Sequence, residues 1–283
     1  MFASLLSLIA AAAYGVGDFF GAIASRKTHP ILVSFIGHIF YAVTAFLGLL
    51  LIQGQWSPTA TLVGVATGAS EALGFLVFYY ALTLGRVAMV APLVSVIYAI
   101  VPVIWGLVTG DQLSSTGWTG VTIGLLAVLA LSMESGNSDQ GDKKPLSVVL
   151  TLALAGGVMW GFSTVALSYA PERSGMVPVV VAGFTAFALM ALIVLATRKK
   201  MTQAYTSDAL APSIWSGVLF GVANLFIITA LRYGSLSLVG LLTALYPLAT
   251  VFLARFILKE QIGRVQWFGI GLAVLAAALL SQG

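Results

Sequence analysis

The chain has 283 residues, 60% of them hydrophobic and only 8% charged, with a mean hydropathy of +1.05. A soluble domain carries roughly 25% charged residues, so this composition cannot dress a water-facing surface and points to a chain solvated by lipid. The net charge of +4 comes from 13 basic residues scattered singly or in short groups, which excludes a nucleic-acid footprint, and the absence of cysteine excludes disulfides, iron–sulfur clusters and thiolate metal sites.

A helix needs about 20 apolar residues to cross roughly 30 Å of hydrocarbon. In chain order the candidate spans are 2–24, 31–52, 59–84, 88–109, 117–133, 146–169, 176–197, 211–231, 236–256 and 265–281. The first is read as a spanning helix and not as a cleaved signal, because no positive segment precedes its apolar run. Turn residues punctuate the joints, as in Thr28-His29-Pro30, Gly54 to Pro58 and Pro171 to Gly175. Alternate loops then fall on opposite sides. One side receives Arg26, Lys27, Arg86, Lys143, Lys144, Arg198, Lys199, Lys200, Arg255, Lys259 and Arg264; the other receives Arg173 and Arg232. The positive-inside rule makes the first side cytoplasmic and places both termini outside.

The sequence repeats at a separation of 149 residues. Ala81-Leu82 and Gly85 fall on Ala230-Leu231 and Gly234, Asp111-Gln112 on Glu260-Gln261, and Trp118 with Gly120 on Trp267 with Gly269. Earlier in the chain, and outside that register, Tyr14-Gly15 of the first span matches Trp160-Gly161 of the sixth. The expected fold class is all-α integral membrane: ten transmembrane helices as two inverted five-helix repeats around a central cavity. Residues 1–135 form the first repeat, 136–145 a cytoplasmic linker, and 146–283 the second. Five spans per repeat is odd, so the second repeat must be inverted relative to the first, a construction used by secondary transporters.

The stretch from Ala230 to Leu236, then Tyr246-Pro247-Leu248, Leu258-Lys259-Glu260 and Trp267 to Leu272, resembles the EamA module of the drug/metabolite transporter superfamily. The first half resembles a weaker copy, through Ala81-Leu82, Pro92, Gly110-Asp111, Trp118 and Gly120. Within the superfamily the chain looks most like the YddG-type aromatic amino-acid exporters of bacterial inner membranes. That resemblance implies ten helices, outside termini and a central cavity. The chain departs from the pattern at Asp111, which stands where a glutamate is expected, and at Tyr98, which occupies the slot opposite Pro247.

In such an architecture the site is expected at mid-membrane between the repeats. Glu71 sits at the centre of its span, where a charge is costly and defaults to function. It is a candidate to hold a substrate ammonium or a proton, or to lock helices as a protonated acid. Tyr79, Tyr80, Tyr98, Trp160 and Tyr246 are candidates to line an aromatic-accepting pocket, and Asn224 to hold a polar head. Asp18 and His38 stand on neighbouring spans and form a possible proton relay, or a structural hydrogen bond. Pro92, Pro102 and Pro247 are candidate hinges. Trp56, Trp118 and Trp267 read as an interfacial belt, and the recurrent Gly-x-x-x-Gly spacings as close helix packing.

No basic residue stands near a span centre, which argues against strongly anionic substrates. There is no nucleotide-binding motif and no metal-ligand spacing, so neither an ATPase subunit nor a cofactor is implied. The expected function is a secondary transporter or facilitated exporter of neutral or aromatic amino acids and similar small metabolites by alternating access, working in a lipid bilayer as a monomer. The alternative is a multidrug/proton antiporter for cationic compounds. An intramembrane enzyme or a scaffold ranks below both, because no catalytic constellation stands out. The expected location is the bacterial cytoplasmic (inner) membrane.

Overall fold

The computed structural model describes residues 1–85, 87–132, 146–197, 206–259 and 263–280. The expected linker 136–145 lies outside the described residues, as do Arg86, Lys143, Lys144, Arg198, Lys199, Lys200 and Glu260. The described residues form α-helices and no strand: α1 (Phe2–Ser25), α2 (Pro30–Gly48), α3 (Pro58–Leu84), α4 (Val87–Thr109), α5 (Ser115–Ser132), α6 (Leu146–Ser168), α7 (Val177–Thr197), α8 (Ser207–Ala230), α9 (Leu236–Thr243), α10 (Pro247–Ile257) and α11 (Arg264–Leu280). Seven described stretches are long and apolar enough to cross a membrane: α1, α2, α3, α6, α7, α8 and the α9–α10 pair taken together. The chain is a multi-pass membrane protein.

Helix starts follow capping chemistry. Pro30 and Pro58 open α2 and α3 at the position where a missing N–H costs nothing, after the caps His29 and Ser57. His29 Nδ1 accepts the Ile31 N–H at 3.3 Å, and Ser57 Oγ accepts the Ala60 N–H at 3.1 Å. Two ends differ from the sequence reading. The second span was expected to run to residue 52, but α2 stops at Gly48 and Leu49–Ile52 coil into tight turns. Gly48 lies against the Met176 side chain, and Ile52 and Gln55 then bond to the 173–176 loop: Met176 N–H to the Ile52 carbonyl at 3.3 Å, and Gln55 N–H to the Arg173 carbonyl at 2.8 Å. The ninth span, expected as one helix, divides at Ala244–Tyr246 because Pro247 cannot donate to the Thr243 carbonyl.

Packing partners come in matched pairs. α1 packs on α8 and α6 on α3; α2 packs on α8 and α7 on α3; α4 packs on α6 and α9–α10 on α1. The remaining major contacts join α2 to α7, α4 to α9–α10, α5 to α11 and α4 to α5. Exchanging α1–α5 for α6–α11, with α9 and α10 taken together, turns these pairs into one another or into themselves, the α4–α5 pair finding only a slight counterpart in α9–α11. Small residues let the backbones meet, as where Gly217 of α8 lies on Gly37 of α2, and Gly68 of α3 on Ala182 of α7. Outside the bundle, Trp56, Trp118 and Trp267 are all exposed, as an interfacial belt requires.

Candidate functional site

Two small cavities lie in the core and share one wall, Phe220. The first is lined by Tyr14 and Asp18 of α1, Tyr98 of α4, Trp160 and Ser163 of α6, Phe220 of α8 and Tyr246 at the break in span nine. The second is lined by Ser34, His38 and Tyr41 of α2, Phe75 and Tyr79 of α3, and Ser216 of α8. Each has a volume of about 10 Å³, enough for about one water. A ligand pocket usually measures about 300–1,000 Å³, so the central cavity expected from the sequence is present only as a closed chamber whose aromatic walls must part to admit a metabolite.

The walls are interlocked rings. Phe75 and Phe220 meet edge to face with centroids 4.3 Å apart, Tyr14 and Phe220 lie at 4.8 Å, and Phe75 and Trp160 at 4.9 Å. Tyr98 accepts a hydrogen bond from Thr164 Oγ1 at 3.0 Å, and Tyr246 donates to the Ala91 carbonyl at 3.1 Å. Both bonds tie spans across the chamber and fix the rings at its wall. The Trp160 indole N–H has no partner among the described residues and packs over Gly74.

The two acids occupy different places. Asp18 is 3% exposed and stands on the wall of the first cavity, where no donor among the described residues bonds its carboxyl. Glu71 is 1% exposed but lines neither cavity. Its carboxyl is faced by the Tyr41 hydroxyl and the Asn224 amide, with Tyr14 beside them. Neither Glu71 Oε2 nor the Tyr41 hydroxyl reaches hydrogen-bond geometry with any described group, and Asn224 Nδ2 donates to its own helix at Phe220, 3.2 Å away. No Lys or Arg belongs to the buried set among the described residues.

The sequence candidates therefore separate. Tyr98, Trp160 and Tyr246 meet at the first cavity with Asp18. Tyr79 belongs to the second, its hydroxyl 2.7 Å from Ser216 Oγ. Glu71 and Asn224 form a sealed cluster beside both. Asp18 and His38, expected as a pair, do not bond each other: His38 Nδ1 donates to the Ser34 carbonyl at 2.7 Å and lines the second cavity. Tyr80 stands away from the centre, where its hydroxyl meets His29 Nε2 at 3.4 Å and the two rings lie edge to face. Partial burial lowers the His29 pKa below the ordinary histidine value. Pro247 adjoins the cavity through Tyr246, Pro102 packs against Gly240 of α9, and the side chain of Pro92 lies outside those described.

Sequence reasoning left Tyr14, Phe220, Tyr41 and Phe75 out of the site. The repeat carried a signal for three of them. Tyr14 is the partner of Trp160, and at the separation of 149 Glu71 falls on Phe220 and Phe75 on Asn224. Equivalent positions in the two halves thus hold an acid against a ring, and a ring against an amide.

A chamber of this kind between two like halves is a transporter's arrangement, and comparison with known proteins agrees. The EamA-like transporter family matches residues 1–133 and again residues 147–282. The chain belongs to the EamA-like transporter family. That membership makes it a membrane transporter of small molecules and points away from an enzyme. A solved crystal structure shares the EamA chain's fold with a TM-score of 0.75, covering 99% of this chain and 96% of its own, at 16% identity. At that identity the likeness concerns the fold alone. No curated protein matches the chain.

Proposed function

We propose that this EamA-family chain is a secondary transporter or facilitated exporter of neutral or aromatic amino acids and related small amines, working by alternating access. The observation that carries the reading is Asp18, a buried carboxyl unbonded among the described residues and facing a chamber walled by Tyr14, Tyr98, Trp160, Phe220 and Tyr246. A carboxylate supplies charge to an ammonium group, ring faces add cation–π attraction, and the same rings accept an apolar side chain. The ten spans are read as two inverted repeats of five, which the exchange symmetry of the helix contacts supports. Both termini face outside, the basic loops face the cytoplasm, and the home is a bacterial inner membrane. The likeness to YddG-type aromatic amino-acid exporters fits the aromatic walls, and one chain suffices to enclose the chamber.

Cationic multidrug/proton antiport is the second reading, favoured by two buried acids with no buried Lys or Arg among the described residues. Uptake of radiolabelled Phe, Thr and Met into liposomes holding the purified protein separates the two, with a dicationic drug as comparator and with or without a pH gradient. Saturable amino-acid uptake is the expected result, and Asp18→Asn lowers it by about 10- to 100-fold, the worth of a hydrogen bond to a charged group. Drug movement that needs the gradient, with no amino-acid flux, overturns the first reading for the second.

A further inference from the structure

Glu71 Oε2, the Tyr41 hydroxyl and His38 Nε2 are all buried and lack a hydrogen-bond partner among the described residues. They are also neighbours in sequence of contact. The Tyr41 hydroxyl faces the Glu71 carboxyl, and Tyr41 and His38 lie one turn apart on α2 with ring centroids 6.2 Å apart. Both rings line the second cavity, whose volume of about 10 Å³ accommodates one water provided that it finds two to four polar partners. The His38 tautomer follows from its bond: a carbonyl only accepts, so Nδ1 carries the proton donated to Ser34, and Nε2 presents a lone pair. A hydroxyl and an imidazole acceptor on the wall of a water-sized space are what an ordered water needs.

Orphaned polar atoms in a membrane core are costly unless something periodically satisfies them. We propose that Glu71 is a proton site, and that Tyr41, one water in the second cavity and His38 form the path by which the proton reaches it. This rests on the transport reading and makes the transport proton-coupled, whichever substrate is carried. The step balances as a relay. His38 Nε2 takes up a proton from solvent water when the carrier opens to one side, and becomes imidazolium. It passes a proton to the water, the water passes one to the Tyr41 oxygen, and Tyr41, once its hydroxyl closes to hydrogen-bond distance of the carboxylate it faces, passes its own to Glu71. One proton moves, Glu71 becomes a neutral acid, and His38, water and Tyr41 return to their starting forms.

The titratable and charged groups that face this route are few. Glu71 is met by Tyr14 of α1, Tyr41 of α2 and Tyr98 of α4, with the neutral Asn224 from α8. His38 is met by Tyr41 on its own helix and Tyr79 of α3, with Ser216 from α8. The segments that form α6 and α7 contain no titratable residue. No Lys or Arg among the described residues is buried to compete with the proton, and Asp18, near enough to act through its charge on Tyr14 and Tyr79, stands on the wall of the first cavity.

The test uses liposomes containing the full chain and an entrapped pH-sensitive dye, read in parallel with counterflow of radiolabelled phenylalanine or the dicationic drug at equal pH on both sides. In the wild type, substrate addition is expected to move protons and counterflow to be saturable. Glu71→Gln is expected to keep counterflow while proton movement falls by at least about 100-fold, and Tyr41→Phe and His38→Gln to slow proton movement by at least about tenfold, the range of a lost proton-transfer group. Counterflow without proton movement in the wild type overturns this inference and leaves the transport reading standing. Absence of counterflow for both substrates removes the transport reading and this one with it. Equal loss of counterflow and proton movement in a well-folded Glu71→Gln also overturns it, since Glu71 would then hold substrate. If Glu71→Gln does not fold, Tyr41→Phe decides, because it removes a single oxygen that bonds nothing: unchanged proton movement overturns the path.

Discussion

Span four and span nine occupy matching places in the two repeats, yet α4 runs unbroken from Val87 to Thr109 while span nine divides into α9 and α10. The difference traces to where proline stands relative to the tyrosine on the chamber wall. Pro247 directly follows Tyr246, so the Thr243 carbonyl loses its α-helical donor and the Tyr246 N–H takes it at 3.0 Å. The chain passes the joint on bonds to the third residue back, including Leu245 to Leu242 and Leu248 to Leu245. In α4, Pro102 comes four residues after Tyr98, so the carbonyl left without a donor is that of Tyr98 itself. Tyr246 reaches a similar condition another way, for its carbonyl is shared among long bonds, from the Ala249 N–H at 3.2 Å, the Thr250 N–H at 3.5 Å and Thr250 Oγ1 at 3.4 Å. Each loosened carbonyl then faces a glycine of the other half, Tyr98 against Gly161 and Tyr246 against Gly15. Two sequences reach one arrangement: a weakly held turn of helix beside the chamber, with a glycine allowing close approach. The broken span is the softer of the two and the one expected to move.

The largest expected effect comes from filling those glycines. A Cβ on Gly15 would overlap the Tyr246 carbonyl and press on Ala249, so the break itself must shift. A Cβ on Gly161 would meet the Val101 side chain at 2.6 Å and the Tyr98 carbonyl at only 3.1 Å. Overpacking costs about 1–3 kcal/mol; Gly15→Ala is expected at the upper end and Gly161→Ala at the lower. Thermal unfolding of the purified variants in detergent checks the order. Equal losses would mean that the broken span yields no less easily than α4, and the distinction between them would fail.

Next in size is the exchange of the prolines. Pro247→Ala restores an N–H that can close on the Thr243 carbonyl and straighten span nine, removing the soft joint. Turnover is expected to fall about tenfold with little change in the concentration for half-maximal uptake, as expected when a conformational step limits the rate. Pro102→Ala is expected to change turnover by no more than about twofold. A reversed order in the uptake assay would locate the moving element in α4.

Much of this was legible before any coordinates. Lipid solvation, the seven long apolar stretches and the two EamA repeats all follow from apolar run length and recurrent pairs such as Trp118 and Trp267. Tyr98, Trp160 and Tyr246 could be placed near one depth because helical rise converts residue number into height. Rotation about each helix axis could not be read the same way. Glu71 stands at the middle of its span and Asp18 about one helical turn from the middle of its own, and only packing decides that Asp18 meets the cavity while Glu71 turns toward Tyr41 and Asn224. Height likewise suggested pairing Asp18 with His38, whereas α2 turns His38 to the far side of Phe220. The break in span nine was foreshadowed by Pro247, but the sequence of α4 carries two prolines and remains one helix.

The tyrosine hydroxyls offer a finer version of the same comparison. Tyr98→Phe removes an acceptor from Thr164, whose hydroxyl keeps a contact with the Trp160 carbonyl at 3.4 Å. Tyr246→Phe removes the donor to Ala91, the bond that holds the joint of span nine against α4. Each is expected to cost about 0.5–1.5 kcal/mol of stability, the net worth of one hydrogen bond. Only Tyr246→Phe is expected also to raise exchange at the α9–α10 joint, measurable as faster amide deuterium uptake by peptides covering 240–250. Equal uptake in both variants would remove the Ala91 bond from the list of things that restrain the joint.

The smallest effect is expected at the far end of α9. This helix has eight residues, too few to hold without help at its ends. Ser235 Oγ accepts the Leu238 N–H at 3.3 Å, and Asp111, in the turn that follows α4, accepts the Ser237 N–H at 2.9 Å. The cap thus fastens the end of span four to the start of span nine, and a carboxylate there also favours the positive end of the helix. Asp111→Asn keeps the shape and an acceptor but removes the charge, at a cost of about 0.3–1 kcal/mol. Because a charge term at a partly exposed helix end is screened by salt, the loss in thermal stability is expected to shrink between low and high salt. A salt-independent loss would mean that the bond's geometry, and not the charge, anchors the broken span to the continuous one.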